Sequence, residues 1–221
     1  MARIEDGVLG SLSGKLGEVV ASSWKGIPYI KSRPASFHDA KTPAQLAHRM
    51  KLQLAHQFVK PVKECVEVGY RQVAERQSPY NKAVSYVMKN AIVGEYPSMR
   101  IEPGKVALSQ GCLAGAAECS VSKGENGKVV FSWSVNRLGT EDADTKNDAT
   151  KRAMQLDDTA WLVAYNFSKQ EAMTTCQDRN IGHETMEIPF DWGGGDEIGC
   201  YIFFSSCGDN KVSNSQYLGK I

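Results

Sequence analysis

The stretch "GKVVFSWSVN", residues 127 to 136, decides the fold class. Its apolar side chains Val129, Phe131, Trp133 and Val135 fall on every second position, with Lys128, Ser132, Ser134 and Asn136 on the other side. A period of two gathers the apolar set on one side of an extended chain, which describes a strand with one face in a core. Around it, "AECSVS", "TAWLVAYNF", "ETMEIPF", "EIGCYIFF" and "KVSNSQYLG" read as further short strands. Asn126-Gly127, Gly193 to Gly195 and Gly208-Asp209-Asn210 supply turn signals between them. Six or seven strands after residue 104 predict an antiparallel β-sandwich. The polar stretch "RLGTEDADTKNDATKRAMQLDD", residues 137 to 158, reads as a long loop or insertion within it.

Cys119, Trp133 and Cys200 follow one another in the order of immunoglobulin strands B, C and F, each on the apolar face of its run. The match is partial, because Ile198 stands where a tyrosine corner would put Tyr. An immunoglobulin-like or fibronectin-like sandwich with core thiols is the expectation.

Upstream the period lengthens. Thr42-Pro43-Ala44-Gln45 fits a capping box with Pro at the first helical position, and Leu46, Met50, Leu54 and Phe58 then draw one apolar stripe. Pro61 interrupts the helix, and Val62, Cys65, Val66 and Gly69 resume the period. Ser78-Pro79 opens another helix with Ala83, Val87 and Ala91 on one face, ended by Gly94 and Pro97.

Nearer the N-terminus, "SSWKGIPYIKSRP", residues 22 to 34, completes a hairpin. Two β-prone runs, Val19 to Trp24 and Ile27 to Ser32, flank Lys25-Gly26, where glycine supplies the positive φ of a tight turn. Pro28 cannot donate to a ladder and belongs on an edge. The chain thus reads as α+β, with an N-terminal β-hairpin plus two or three helices over residues 1 to 100. A C-terminal sandwich fills residues 101 to 221.

Charge differs between those halves. Residues 1 to 100 hold 15 Lys/Arg against 8 Asp/Glu, and residues 101 to 221 hold 11 against 17. Overall the chain is nearly neutral, at +1, so composition alone argues for neither nucleic acid nor an acidic substrate. No basic start followed by an apolar core marks a signal peptide, and no apolar run approaches the ~20 residues that span a bilayer. A cytoplasmic protein with no membrane association is expected, its six cysteines as thiols because none forms a C-x-x-C pair.

Catalytic patterns fail one by one. "GVLGSLSGKLG" lacks a P-loop because Leu9 and Leu16 occupy two required places, and Leu12 stands where a nucleophile elbow needs serine. Gly7, Gly10, Gly14 and Gly17 mark turns and close backbone approach instead. His183-Glu184 opens like a zinc-protease helix, but Glu187 replaces the second histidine. Asp142 and Asp144 begin like a calcium loop that Lys146 and Asn147 interrupt. His38, His48, His56 and Cys65 do not make a metal cluster, since His48 and His56 lie about two helical turns apart. No catalytic residue, metal or cofactor is expected.

One surface remains. Trp24 and Tyr29 could stack on bases while Lys25, Lys31 and Arg33 neutralise phosphates, with Arg49, Lys51, Lys60 and Lys63 extending a basic face. The plainer reading packs the two aromatics onto the helices.

The blocks "GSLSGKLGEVVASSWKGIPYIKSRP", "TPAQLAHRMKLQLAHQFVKP", "YNKAVSYVMKNAIVGEYP", "KVALSQG" and "VSNSQYLGKI" together resemble an uncharacterised bacterial family. The resemblance covers nearly the whole chain and implies a helical and hairpin N-terminal region joined to an immunoglobulin-like sandwich. It brings no activity, cofactor or catalytic residue. The functional expectation is a non-enzymatic structural or interaction protein, an oligomer or a component of a larger assembly, with a protein or itself as partner. The alternative is a nucleic-acid-associated protein that uses its basic N-terminal half.

Overall fold

A computed structural model describes residues 3–4, 12–34, 36, 39–75, 77–124, 127–135, 158–192, 195–208 and 210–221. The connection expected at 137 to 158 lies outside them except for Asp158, as do Gly7, Gly10 and His38. The chain is α+β and divides into two compact units, Met1–Thr42 and Pro43–Ile221.

The first unit is an antiparallel sheet. Strands β2 (Leu12–Leu16), β3 (Val19–Trp24) and β4 (Ile27–Ser32) run in order, with the two-residue β1 (Arg3–Ile4) against β2. The β3–β4 hairpin has the expected bounds, and its turn residues Lys25 and Gly26 sit at φ 49° and 78°. Two successive positive φ values make the primed turn whose twist matches the flanking strands. Pro28 lies on β4, which is the sheet's edge. The glycine-rich stretch, read as turns, instead contributes β2, with Gly14 inside the strand at φ 111° and Gly17 at the turn that follows.

The second unit is layered. Helices α1 (Pro43–Val59), α2 (Lys63–Gly69) and α3 (Pro79–Tyr86) come first. Ser78 caps α3, its Oγ accepting from the Asn81 N–H at 3.2 Å, and a π-helical turn at Val87–Ala91 extends it. Strands β5 (Ile92–Val93) and β6 (Arg100–Ile101) then pair briefly. Beyond them β7 (Cys119–Lys123), β8 (Lys128–Trp133) and β11 (His183–Glu187) make one sheet in the order β11-β8-β7. The other sheet is β10-β9-β12-β13, from β9 (Thr159–Asn166), β10 (Glu171–Asp178), β12 (Ile198–Ser205) and β13 (Gln216–Lys220).

Both faces of β9 and β12 are covered, which explains why their sequences run apolar without alternation. Leu162, Ala164, Ile202 and Phe204 meet Val129, Phe131 and Trp133 between the two sheets. Val163, Tyr165, Tyr201 and Phe203 face the opposite way and pack with Phe58, Val59 and Val66 of the helices. Strand β10 went unread because it is an edge with no fully buried residue, so its sequence "EAMTTCQD" carries no apolar period.

The reading of Cys119, Trp133 and Cys200 as residues of strands B, C and F is corrected. B and C belong to facing sheets, whereas Cys119 and Trp133 stand opposite each other on neighbouring strands of one sheet. Their order along the chain was right, but order does not determine pairing. All six cysteines are free.

Candidate interaction surface

Register fixes which side chains of the N-terminal sheet share a face. Val20 pairs with Lys31, Ser22 with Tyr29 and Trp24 with Ile27, while Lys15 of β2 stands opposite Val20. Residues opposed across antiparallel strands project to the same side. One face therefore carries Trp24, Ile27, Tyr29, Lys31 and Lys15. The opposite face carries Leu16, Val19, Ala21 and Ile30 through the pairs Leu16↔Val19 and Ala21↔Ile30.

Ala21 is buried, yet the larger apolar residues are not. Trp24 is 51% exposed, Tyr29 42%, Ile27 68%, Ile30 64% and Leu16 57%. Every residue of β4 is exposed, on both faces. Neither Trp24 nor Tyr29 is a core side chain.

Of the sequence-singled residues, Trp24, Tyr29 and Lys31 share a face, Lys25 occupies the turn, and Arg33 follows β4, where its backbone N–H donates to the Glu18 carbonyl at 2.6 Å. Arg49, Lys51, Lys60 and Lys63 belong to the other unit, and Lys63 pairs with Glu67 at 3.6 Å. Sequence reading missed Leu16, Ile27 and Ile30. The available signal was "IPYI" itself, where apolar residues at successive positions load both faces instead of one.

His183 and Glu184 lie on β11, where the Glu184 carboxylate accepts from Gln177 Nε2 at 2.5 Å. His56 Nδ1 and the Tyr80 hydroxyl are 3.1 Å apart. Among the described residues no three His, Cys, Asp or Glu gather to hold a metal ion. Burial pushes the thiols up, Cys65 and Cys119 to about 11 and Cys200 to about 12, which keeps them protonated and poor as nucleophiles. No helix among the described residues is long and apolar enough to cross a membrane.

Among the described residues, the buried charges Arg179 and Asp158 form a pair. Arg179 donates to Asp158 Oδ2 at 3.1 Å and to the Gly115 carbonyl at 3.0 Å, and its guanidinium lies 4.1 Å from the Phe204 ring centre. The Trp133 indole donates to the Arg179 carbonyl at 2.8 Å. Arg179 thereby ties β8, β9 and the segment before β7 together at the point where the chain re-enters the sheet.

The model of a family of unknown function, DUF6266, matches residues 11–219. No curated protein and no solved structure matches the chain.

Proposed function

The chain belongs to that family of unknown function, and on this premise we propose that it is a non-enzymatic interaction protein that assembles with itself through its N-terminal sheet. The observation that carries this reading is the exposure of large apolar side chains on both faces of β2–β4. A monomer gains nothing from displaying Trp24, Ile27, Tyr29 and Ile30, and covering one such side chain stabilises by about 1.5–3 kcal/mol. Edge strand β4 also offers unpaired backbone groups to a strand from a neighbour.

Charge adds little to this reading. Most of the basic excess, 9 Lys/Arg against 4 Asp/Glu, lies in residues 43 to 100, and these share one unit with the acidic stretch. Attraction between the two stretches thus favours cohesion within that unit. Assembly rests on the apolar sheet.

The strand orders β11-β8-β7 and β10-β9-β12-β13 support an immunoglobulin-like or fibronectin-like reading of the C-terminal sheets, a scaffold often used for binding. The lack of a nucleophile, base or ligand pattern in the sequence supports the non-enzymatic reading.

A nucleic-acid role is favoured by one feature, the shared face of Trp24, Tyr29, Lys31 and Lys15. Light scattering after gel filtration, at low and high salt, with and without mixed nucleic acid, separates the two. Apolar self-assembly gives large species without ligand that persist at high salt. A monomer that shifts only with nucleic acid, and less so as salt rises, contradicts it in favour of the alternative.

A further inference from the structure

A cavity of about 360 Å³ opens where α1, β6 and the β9–β10 turn meet, all within the Pro43–Ile221 unit. Ligand sites are commonly of this size, with an apolar wall and a few polar groups. Here Leu54, Met99, Ile101 and Phe167 form the wall. Arg100 and Glu102 lie two apart on extended backbone and both line the cavity. Among the described residues neither makes an ion pair or a side-chain hydrogen bond. Glu197 and Lys220, also at this cavity, pair with each other, and Glu102 adds to the negative field around Lys220, which leaves Arg100 as the cation without an ion-pair partner.

Tyr165 adds a third group. It is 2% exposed, its ring is held between Phe58 at 4.5 Å and Phe167 at 4.7 Å, and its hydroxyl makes no hydrogen bond among the described residues. Burial pushes this hydroxyl's pKa up, so it remains a donor. With no acceptor of the protein engaged, the hydroxyl is available to donate to a ligand that enters the cavity.

We propose that this cavity binds a free amino acid with a large apolar side chain, its carboxylate facing Arg100 and Tyr165 and its ammonium facing Glu102. A ligand with a single charge meets only one of Arg100 and Glu102 with the opposite sign. An α-amino acid answers both from one carbon while its side chain lies on Phe167 and Met99.

Isothermal titration calorimetry with L-phenylalanine, 3-phenylpropionate and phenethylamine tests the assignment on the full chain. L-phenylalanine binds, and each analogue, lacking one charge-assisted contact, binds about tenfold or more weakly. Arg100→Met, at an exposed position, weakens L-phenylalanine about tenfold, and Tyr165→Phe weakens it severalfold without moving the urea midpoint downward. Absence of heat at millimolar L-phenylalanine overturns the proposal. So does an Arg100→Met protein that binds as tightly as the parent, or 3-phenylpropionate that binds as tightly as L-phenylalanine.

Discussion

Strands β4 and β12 are close in composition and opposite in fate. "IPYIKS" and "IGCYIFFS" both set a tyrosine beside isoleucines, yet every residue of the first is exposed and seven of the eight in the second are buried. Propensity for the extended state is common to both and accounts for both being strands. Burial comes from neighbours. β12 lies between β9 and β13, with helices over one face and the β11-β8-β7 sheet over the other. β4 has a partner on one edge and nothing in its own sheet to cover either face. An apolar strand without a core leaves room for a second chain, and the proposed assembly starts from that opening.

The contrast breaks most visibly at the buried charges behind β12. Arg179→Ala leaves Asp158 buried without its cation and is expected to lower stability by about 3–5 kcal/mol, read as a fall in the urea midpoint. Phe203→Ala, on the helix-facing side of β12, is expected to cost a similar ~3–5 kcal/mol. Tyr29→Ser and Ile27→Ser on β4, in dilute protein, should stay within about 0.5 kcal/mol of the parent. A large loss from either β4 substitution would mean that the hairpin is already covered.

Glycines give a second, smaller version of the same contrast. A Cβ at Gly111 would meet the Val212 carbonyl at 2.1 Å, so Gly111→Ala must displace backbone in the larger unit and lower its melting temperature. At Gly26 a Cβ meets open space, and the only penalty is φ at 78°. Gly26→Ala is expected to loosen the hairpin alone by about 1 kcal/mol, visible in hairpin amide exchange and not in the melting of the larger unit.

Thiols and pH sharpen it further. Cys112, Cys176 and Cys207 are exposed and should react with a maleimide at once, while Cys65 and Cys200 should wait for unfolding. Burial holds the Cys200 pKa near 12, above its unfolded value of about 8.5. The stability this contributes is complete below pH ~8.5 and is lost as pH rises toward 12, because only the unfolded chain ionises there. A urea midpoint that falls between pH 8 and pH 10.5 and is steadied by Cys200→Ala relative to the parent's slope would agree. Equal slopes would assign the alkaline loss to the buried tyrosines Tyr70 and Tyr201, which burial also raises.

Local chemistry was legible in the sequence wherever it is sufficient by itself. Lys25-Gly26 specifies its turn, Ser78-Pro79 its helix start, and "KVVFSW" its strand, and each lies where the sequence placed it. Pairing was not legible, because neighbours in a sheet are chosen by the whole core: Cys119 and Trp133 meet across one ladder although their order suggested facing sheets. Nor was the exposure of Trp24, since an aromatic at a strand end looks the same beside a core or beside solvent. The cavity at Tyr165 draws on residues from Leu54 to Lys220, a separation no spacing rule spans.

The most direct test is amide hydrogen exchange across β4 and β12 as a function of protein concentration. Self-assembly through the N-terminal sheet predicts that Ile27 and the amides from Tyr29 to Ser32 exchange fast in dilute protein and slow markedly at high concentration, with β12 slow throughout. Fast exchange of β4 at every concentration would contradict it.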